Sequence, residues 1–137
     1  MRPDVKVRMA QDDDVKAVQG LLDEIVDIGG WRPTLDKIFP YWLVAEMAGE
    51  IVGIINLRIS MPFSSVELLS IDSRVTQRER GEILLMLTDS AMAIAASAGS
   101  QAVTSMIPDE MESYLKVAQH RGYQSVGKGT IVLGRIR

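Results

Sequence analysis

The chain contains no cysteine and only one histidine. Without thiols, disulfides, thiolate metal sites and a cysteine nucleophile are excluded, and a reducing compartment, the cytoplasm, is the expected setting. A single imidazole closes off any multi-histidine metal centre, and a carboxylate-only site stays open but unsupported, so no metal ligands are assigned. Nor is there an excess of positive charge: 15 Lys and Arg stand against 18 Asp and Glu, a formal net charge of −3. General nucleic-acid binding, which needs clustered cations to neutralise phosphates, is not expected from that balance. No uninterrupted apolar run reaches the roughly 18 residues of a membrane span. The opening Met1-Arg2-Pro3-Asp4 leads into Val5 to Met9 without the apolar core of a signal peptide.

What remains is an ordinary globular composition, 47% hydrophobic and 24% charged over 137 residues. A chain of this length buries roughly two-thirds of its unfolded surface, so one domain spanning 1–137 with one core is expected.

Period-two alternation marks Val5, Val7 and Met9 as one face of a strand. Gln11-Asp12-Asp13-Asp14 then places capping and anionic side chains at a helix start, and Val15, Val18, Leu22 and Ile25 recur at helical spacing until Gly29-Gly30. The three aspartates read as a cap rather than a metal site, because adjacent helical residues point in different directions. Thr34 is positioned to cap a short helix through Ile38 before Pro40. Tyr41 to Glu46 and Ile51 to Ile59 read as a hairpin around Ala48-Gly49-Glu50, and Val66 to Ile71 as the next strand. Arg80 to Ala98 predicts a long buried helix stopped by Gly99. Ala102 to Ile107 returns as a strand. A helix opened by Pro108 carries Met111, Leu115 and Ala118 on one face and ends at Gly122. Tyr123 to Val126 and Thr130 to Ile136 are β-like around Gly127-Lys128-Gly129. This order implies an α/β fold, one mixed sheet with helices on both faces. The eight methionines read as core filler, and His120 as a helix C-terminal cap.

The order of elements, Val7-Arg8-Met9-Ala10 before an acidic helix start, Tyr41 to Glu46 through Gly49-Glu50-Ile51-Val52-Gly53, and His120-Arg121-Gly122-Tyr123 near the end together resemble the GNAT acyltransferase superfamily. The resemblance covers nearly the whole chain. It implies acetyl-coenzyme A as co-substrate, held by a loop of pattern Gln/Arg-x-x-Gly-x-Gly/Ala with its pyrophosphate at a helix N-terminus. The best match is Arg78-Glu79-Arg80-Gly81-Glu82-Ile83, which assigns coenzyme contacts to Ile71, Arg78, Arg80, Gly81 and Ile83. Ile83 stands where the family has a small residue. The family's strand carboxylate, its general base, maps to Glu67. Its usual tyrosine acid maps to Ala118, and Tyr114, one turn earlier, is the substitute.

Two functions follow. One is an acyl-coenzyme A dependent N-acyltransferase acting on a small amine or a protein amino group, with its acceptor pocket from Gly29 to Pro40, holding Trp31 and Phe39, and from the Pro62-Phe63 loop. The other is a non-catalytic structural or partner-binding module of the same shape, such as occurs among bacteriophage proteins. The resemblance makes a homodimer plausible in either case.

Overall fold

The computed structural model describes residues 4–26, 30, 32–38, 41–107 and 112–127. The chain divides into two compact units, Met1–Met106 and Ile107–Arg137.

The first unit runs β1 (Val5–Met9), a 3-10 turn (Asp12–Asp14), α1 (Val15–Asp23), β2 (Trp42–Met47), β3 (Glu50–Arg58), β4 (Phe63–Ile71), α2 (Gln77–Ser97) and β5 (Ala102–Ser105). The strands form one sheet in sequence order. Neighbours from β1 to β4 are antiparallel, whereas β5 lies parallel to β4. A parallel partner requires a crossover, and α2 supplies it. The mixed sheet expected from the sequence is therefore present.

Strand alternation sorts the core onto two faces. On one face Trp42, Val44 and Ile54 pack with Val18, Leu21 and Leu22 of α1. On the other lie Leu43, Ala45, Ile55 and Leu57, and α2 turns Ile83, Leu84, Leu87, Ala91 and Ala95 inward at helical spacing. Gly53 marks how closely α2 approaches: a Cβ built there would stand 2.8 Å from Ile83 Cγ2 and 3.2 Å from Leu87 Cδ1. Each buried Leu or Ile contributes about 1.5–3 kcal/mol, and because a one-residue slip would exchange the two faces, this packing fixes the register.

The β2–β3 turn is a two-residue hairpin in which Ala48 (φ 54°) and Gly49 (φ 80°) are both left-handed, as the twist of the flanking strands favours. Arg8 on β1 ties the sheet to the start of α1. Its Nη1 donates to Asp14 Oδ2 at 2.7 Å and its Nε to Glu46 Oε1 at 2.7 Å. Asp14 also accepts from the Gln11 amide at 2.7 Å, so this carboxylate caps the turn, and the Arg8 guanidinium holds it below the usual carboxylate range. Among the described residues no group of His, Asp or Glu is arranged to hold a metal ion, and no helix is long and apolar enough to cross a membrane.

Several boundaries differ from expectation. α1 ends at Asp23 and Ile25 is exposed. Thr34 to Ile38 is not helical: the Leu35 amide donates to Gln19 Oε1 at 2.6 Å, and Gln19 Nε2 donates to the Pro33 carbonyl at 2.9 Å. A segment this short does not by itself offset the cost of helix nucleation. β4 begins three residues earlier than Val66, at Phe63, and β5 stops at Ser105 rather than Ile107.

In the second unit, α3 (Glu112–His120) ends as its glycine suggests. Gly122 is left-handed (φ 96°), and the Tyr123 and Arg121 amides donate back to Ala118 and Val117 at 3.0 and 3.1 Å, closing the last turn. Tyr123 to Val126 form no strand among the described residues. Pro108, Met111 and the Thr130 to Ile136 segment lie outside them.

Candidate active site

β4 and β5 pair only from Phe63 with Ala102 to Val66 with Ser105. β4 then continues through Glu67 to Ile71 without a strand on that side among the described residues. At the fork β4 bulges. Asn56 pairs with Glu67 but Ile54 pairs with Ser70, so β4 carries one extra residue, and Leu68 there is left-handed (φ 56°). Bulges bend a strand and re-aim its side chains.

The Asp72 amide donates to the Val52 carbonyl at 2.8 Å, which sets the alternation of the ladder. The Asp72 amide and the backbone groups of Ser70 face β3, and those of Leu69 and Ile71 face the open side. The Ile71 carbonyl is engaged there by Arg80 Nη2 at 3.4 Å, which also reaches the Asp72 carbonyl at 3.2 Å. The Ile71 and Leu69 amides stand on the open edge, the position from which an extended ligand is held by main-chain hydrogen bonds.

Glu67 lies at the fork itself, on the α1 face of the sheet, opposite buried Asn56. Its carboxylate stands 3.6 Å from Arg58 Nε, and both side chains are solvent-accessible. Arg58 Nε also donates to Asn56 Oδ1 at 3.4 Å.

Beyond β4 the turn to α2 is organised around Asp72, which is buried. It accepts from the Arg74 amide at 2.9 Å and from Arg74 Nη2 at 2.7 Å. These bonds hold its carboxyl below the ordinary value of 3.8. α2 then starts earlier than the sequence suggests, at Gln77, because Thr76 and Glu79 form a reciprocal cap. The Glu79 amide donates to Thr76 Oγ1 at 3.1 Å, and the Thr76 amide donates to Glu79 Oε1 at 2.8 Å. Of the four amides a helix start leaves free, this cap takes two, leaving Gln77 and Arg78.

The segment Arg78 to Ile83 is thus the first turns of the helix itself, not a loop before it. The Arg80 amide is already committed to the Thr76 carbonyl at 2.9 Å. Arg78 is exposed, Gly81 has open space beside it with nothing within 4 Å of where a Cβ would stand, and Ile83 is fully buried against the sheet. The fold therefore gathers Ile71, Arg78, Arg80 and Gly81 around the end of β4 and the head of α2, and sends Ile83 into the core.

Tyr114 is half-buried on α3, in the second unit. Of the expected acceptor pocket, Gly29, Trp31, Phe39 and Pro40 lie outside the described residues, whereas Phe63 is exposed at the start of β4. Sequence reasoning missed Arg58, Asn56 and Asp72, whose roles come from cross-strand register and a turn. It also missed the cap, although Thr76-x-x-Glu79 is a legible capping-box pattern.

A mixed sheet of this strand order, a β4–β5 fork and a crossover helix beginning beside it together make the GNAT acyltransferase fold. The aminoglycoside N-acetyltransferase AAC(6')-Iy, in complex with a bisubstrate analogue, is similar at TM-score 0.77 and 15% identity over 97% of this chain and 99% of that one. An acetyltransferase of Trypanosoma brucei is similar at TM-score 0.70 and 15% identity, covering 94% and 99%. A protein described as a transcriptional regulator of Bacillus halodurans is similar at TM-score 0.75 and 15% identity, covering 96% and 100%. No protein-family model matches the chain, and no curated protein matches it by sequence.

Proposed function

We propose that the chain binds an acyl-coenzyme A along the free edge of β4 and transfers the acyl group to an amine. The observation that carries this reading is the fork, where β5 stops at Ser105 while β4 runs on to Ile71 with a bulge at Leu68. Such an edge offers the Leu69 and Ile71 amides to the amide-bearing arm of the coenzyme. The free Gln77 and Arg78 amides, the Arg78 side chain and the open space beside Gly81 suit its pyrophosphate, with the helix dipole adding to the attraction. Arg80 braces the strand end, and Ile83 acts from the core by seating α2.

The thioester would then lie at the fork, beside Glu67. That carboxylate is the base for the acceptor's ammonium, directly or through water, and Tyr114 is the candidate donor for the departing thiolate, a substitute for the tyrosine that the resemblance places at Ala118. The similar acetyltransferase structures support an amine acceptor, in AAC(6')-Iy an aminoglycoside. Thiol release from acetyl-coenzyme A in the presence of amines tests the reading. Glu67→Gln and Tyr114→Phe are each expected to lower kcat by roughly 100-fold or more; undiminished turnover in either removes that residue from the mechanism.

One observation favours the second reading, a non-catalytic module. The Glu79 carboxylate occupies the head of α2 and opposes the charge of a pyrophosphate there. Absence of both acetyl-coenzyme A binding and thiol release at millimolar coenzyme would select that reading.

A further inference from the structure

Arg58 and Glu67 form a solvent-accessible ion pair on the α1 face of the sheet, at the fork where the acyl carbon would lie. Both belong to the β3–β4 ladder. Arg58 pairs with Ser65 and Asn56 with Glu67, so all four side chains share one face. The pair is exposed, with side-chain accessibilities of 64% and 40%, and pairs of that kind add little to stability. Arg58 uses Nε toward Asn56 and Glu67. Its two terminal nitrogens carry no hydrogen bond among the described residues, and they form the fork that matches a carboxylate.

We infer that the acceptor is an α-amino acid, its ammonium on Glu67 and its carboxylate on Arg58. This rests on the acyl-transfer reading above. An α-amino acid carries both charges on one carbon, adjacent and opposite in sign, as this pair does. Its side chain would lie over Ser65 toward Phe63, which is exposed on the same face about 7 Å further along the strand. An apolar side chain suits that neighbour. In the transfer, the acceptor's ammonium gives one proton to Glu67 and its nitrogen forms the amide bond to the acyl carbon. The carbon–sulfur bond breaks, and a second nitrogen proton ends on the sulfur as the free thiol. A protein N-terminus or an aminoglycoside lacks the carboxylate that Arg58 would read.

The test is thiol release from acetyl-coenzyme A with phenylalanine, phenylalaninamide and phenethylamine, for the unaltered protein and for Arg58→Gln and Arg58→Lys. Phenylalanine is expected to exceed both analogues in kcat/KM by roughly 10- to 100-fold, the range for a hydrogen-bonded charge. That ratio is expected to collapse in Arg58→Gln, chiefly through KM, and to recover partly in Arg58→Lys. Release with the analogues equal to or above that with phenylalanine overturns the inference and leaves acyl transfer standing. No release with any of the three, together with no binding of acetyl-coenzyme A, overturns both.

Discussion

Thr76 and Glu79 each satisfy the other's backbone amide, at 3.1 and 2.8 Å respectively, and in doing so place a carboxylate at the head of α2. That arrangement stabilises the helix and opposes a phosphate at the same end. Glu79→Gln keeps an oxygen acceptor for the Thr76 amide but removes the charge. It is expected to lower stability by about 0.3–1 kcal/mol through the lost dipole interaction while tightening acetyl-coenzyme A several-fold by calorimetry. Weaker binding in this variant would show that the carboxylate is not in the path of the phosphates.

Gly81 sits within α2 with open space around its missing side chain. Nothing in the fold requires glycine there, and Gly81→Ala is expected to raise stability by about 0.5–1 kcal/mol. If that space receives the pyrophosphate, the same variant binds acetyl-coenzyme A more weakly in a thermal-shift titration. A stabilised variant with unchanged affinity would make Gly81 incidental.

Gly53 is the opposite case, since its Cβ position is already filled by Ile83 and Leu87. Gly53→Ala is expected to cost about 1–3 kcal/mol by overpacking. Combined with Ile83→Ala the loss should be less than the sum, because the two share one contact. Strict additivity in denaturant unfolding would mean that α2 shifts away instead.

Asp72 and Asp14 both have carboxyls held below the ordinary value of 3.8, Asp72 chiefly by its Arg74 hydrogen bonds and Asp14 chiefly by Arg8. A depressed folded-state value contributes stability that is present above 3.8 and lost as pH falls through the lower folded-state value. Asp72→Asn is therefore expected to be less stable at neutral pH by about 1–3 kcal/mol. The gap to the unaltered protein should close in acid below that range. A gap that persists unchanged at low pH would assign the effect to packing.

The sheet was legible because its signals are local: alternation in Val5 to Met9, turn residues at Ala48-Gly49, and an apolar stripe from Ile83 to Ala95. α2 starts before the expected Arg80 because the Thr76 and Glu79 cap, which precedes the run rich in Leu, Met and Ala, decides its first residue. The fork was not legible at all. Where β5 ends relative to β4 depends on pairing between segments some 40 residues apart, and the bulge at Leu68 depends on the register of β4 against β3; no run of residues encodes either. For the same reason Glu67 could be singled out from a family pattern but its partners Arg58 and Asn56 could not.

The central claim is that the acyl donor lies along the open edge of β4 and ends at the head of α2. Backbone amide NMR during titration with acetyl-coenzyme A tests it most directly. Saturable shifts are expected at Leu69 and Ile71 and at Gln77 and Arg78, with Lys6 and Arg8 on the opposite edge unmoved. Saturable shifts that spare Leu69 and Ile71, or none at millimolar coenzyme, would contradict it.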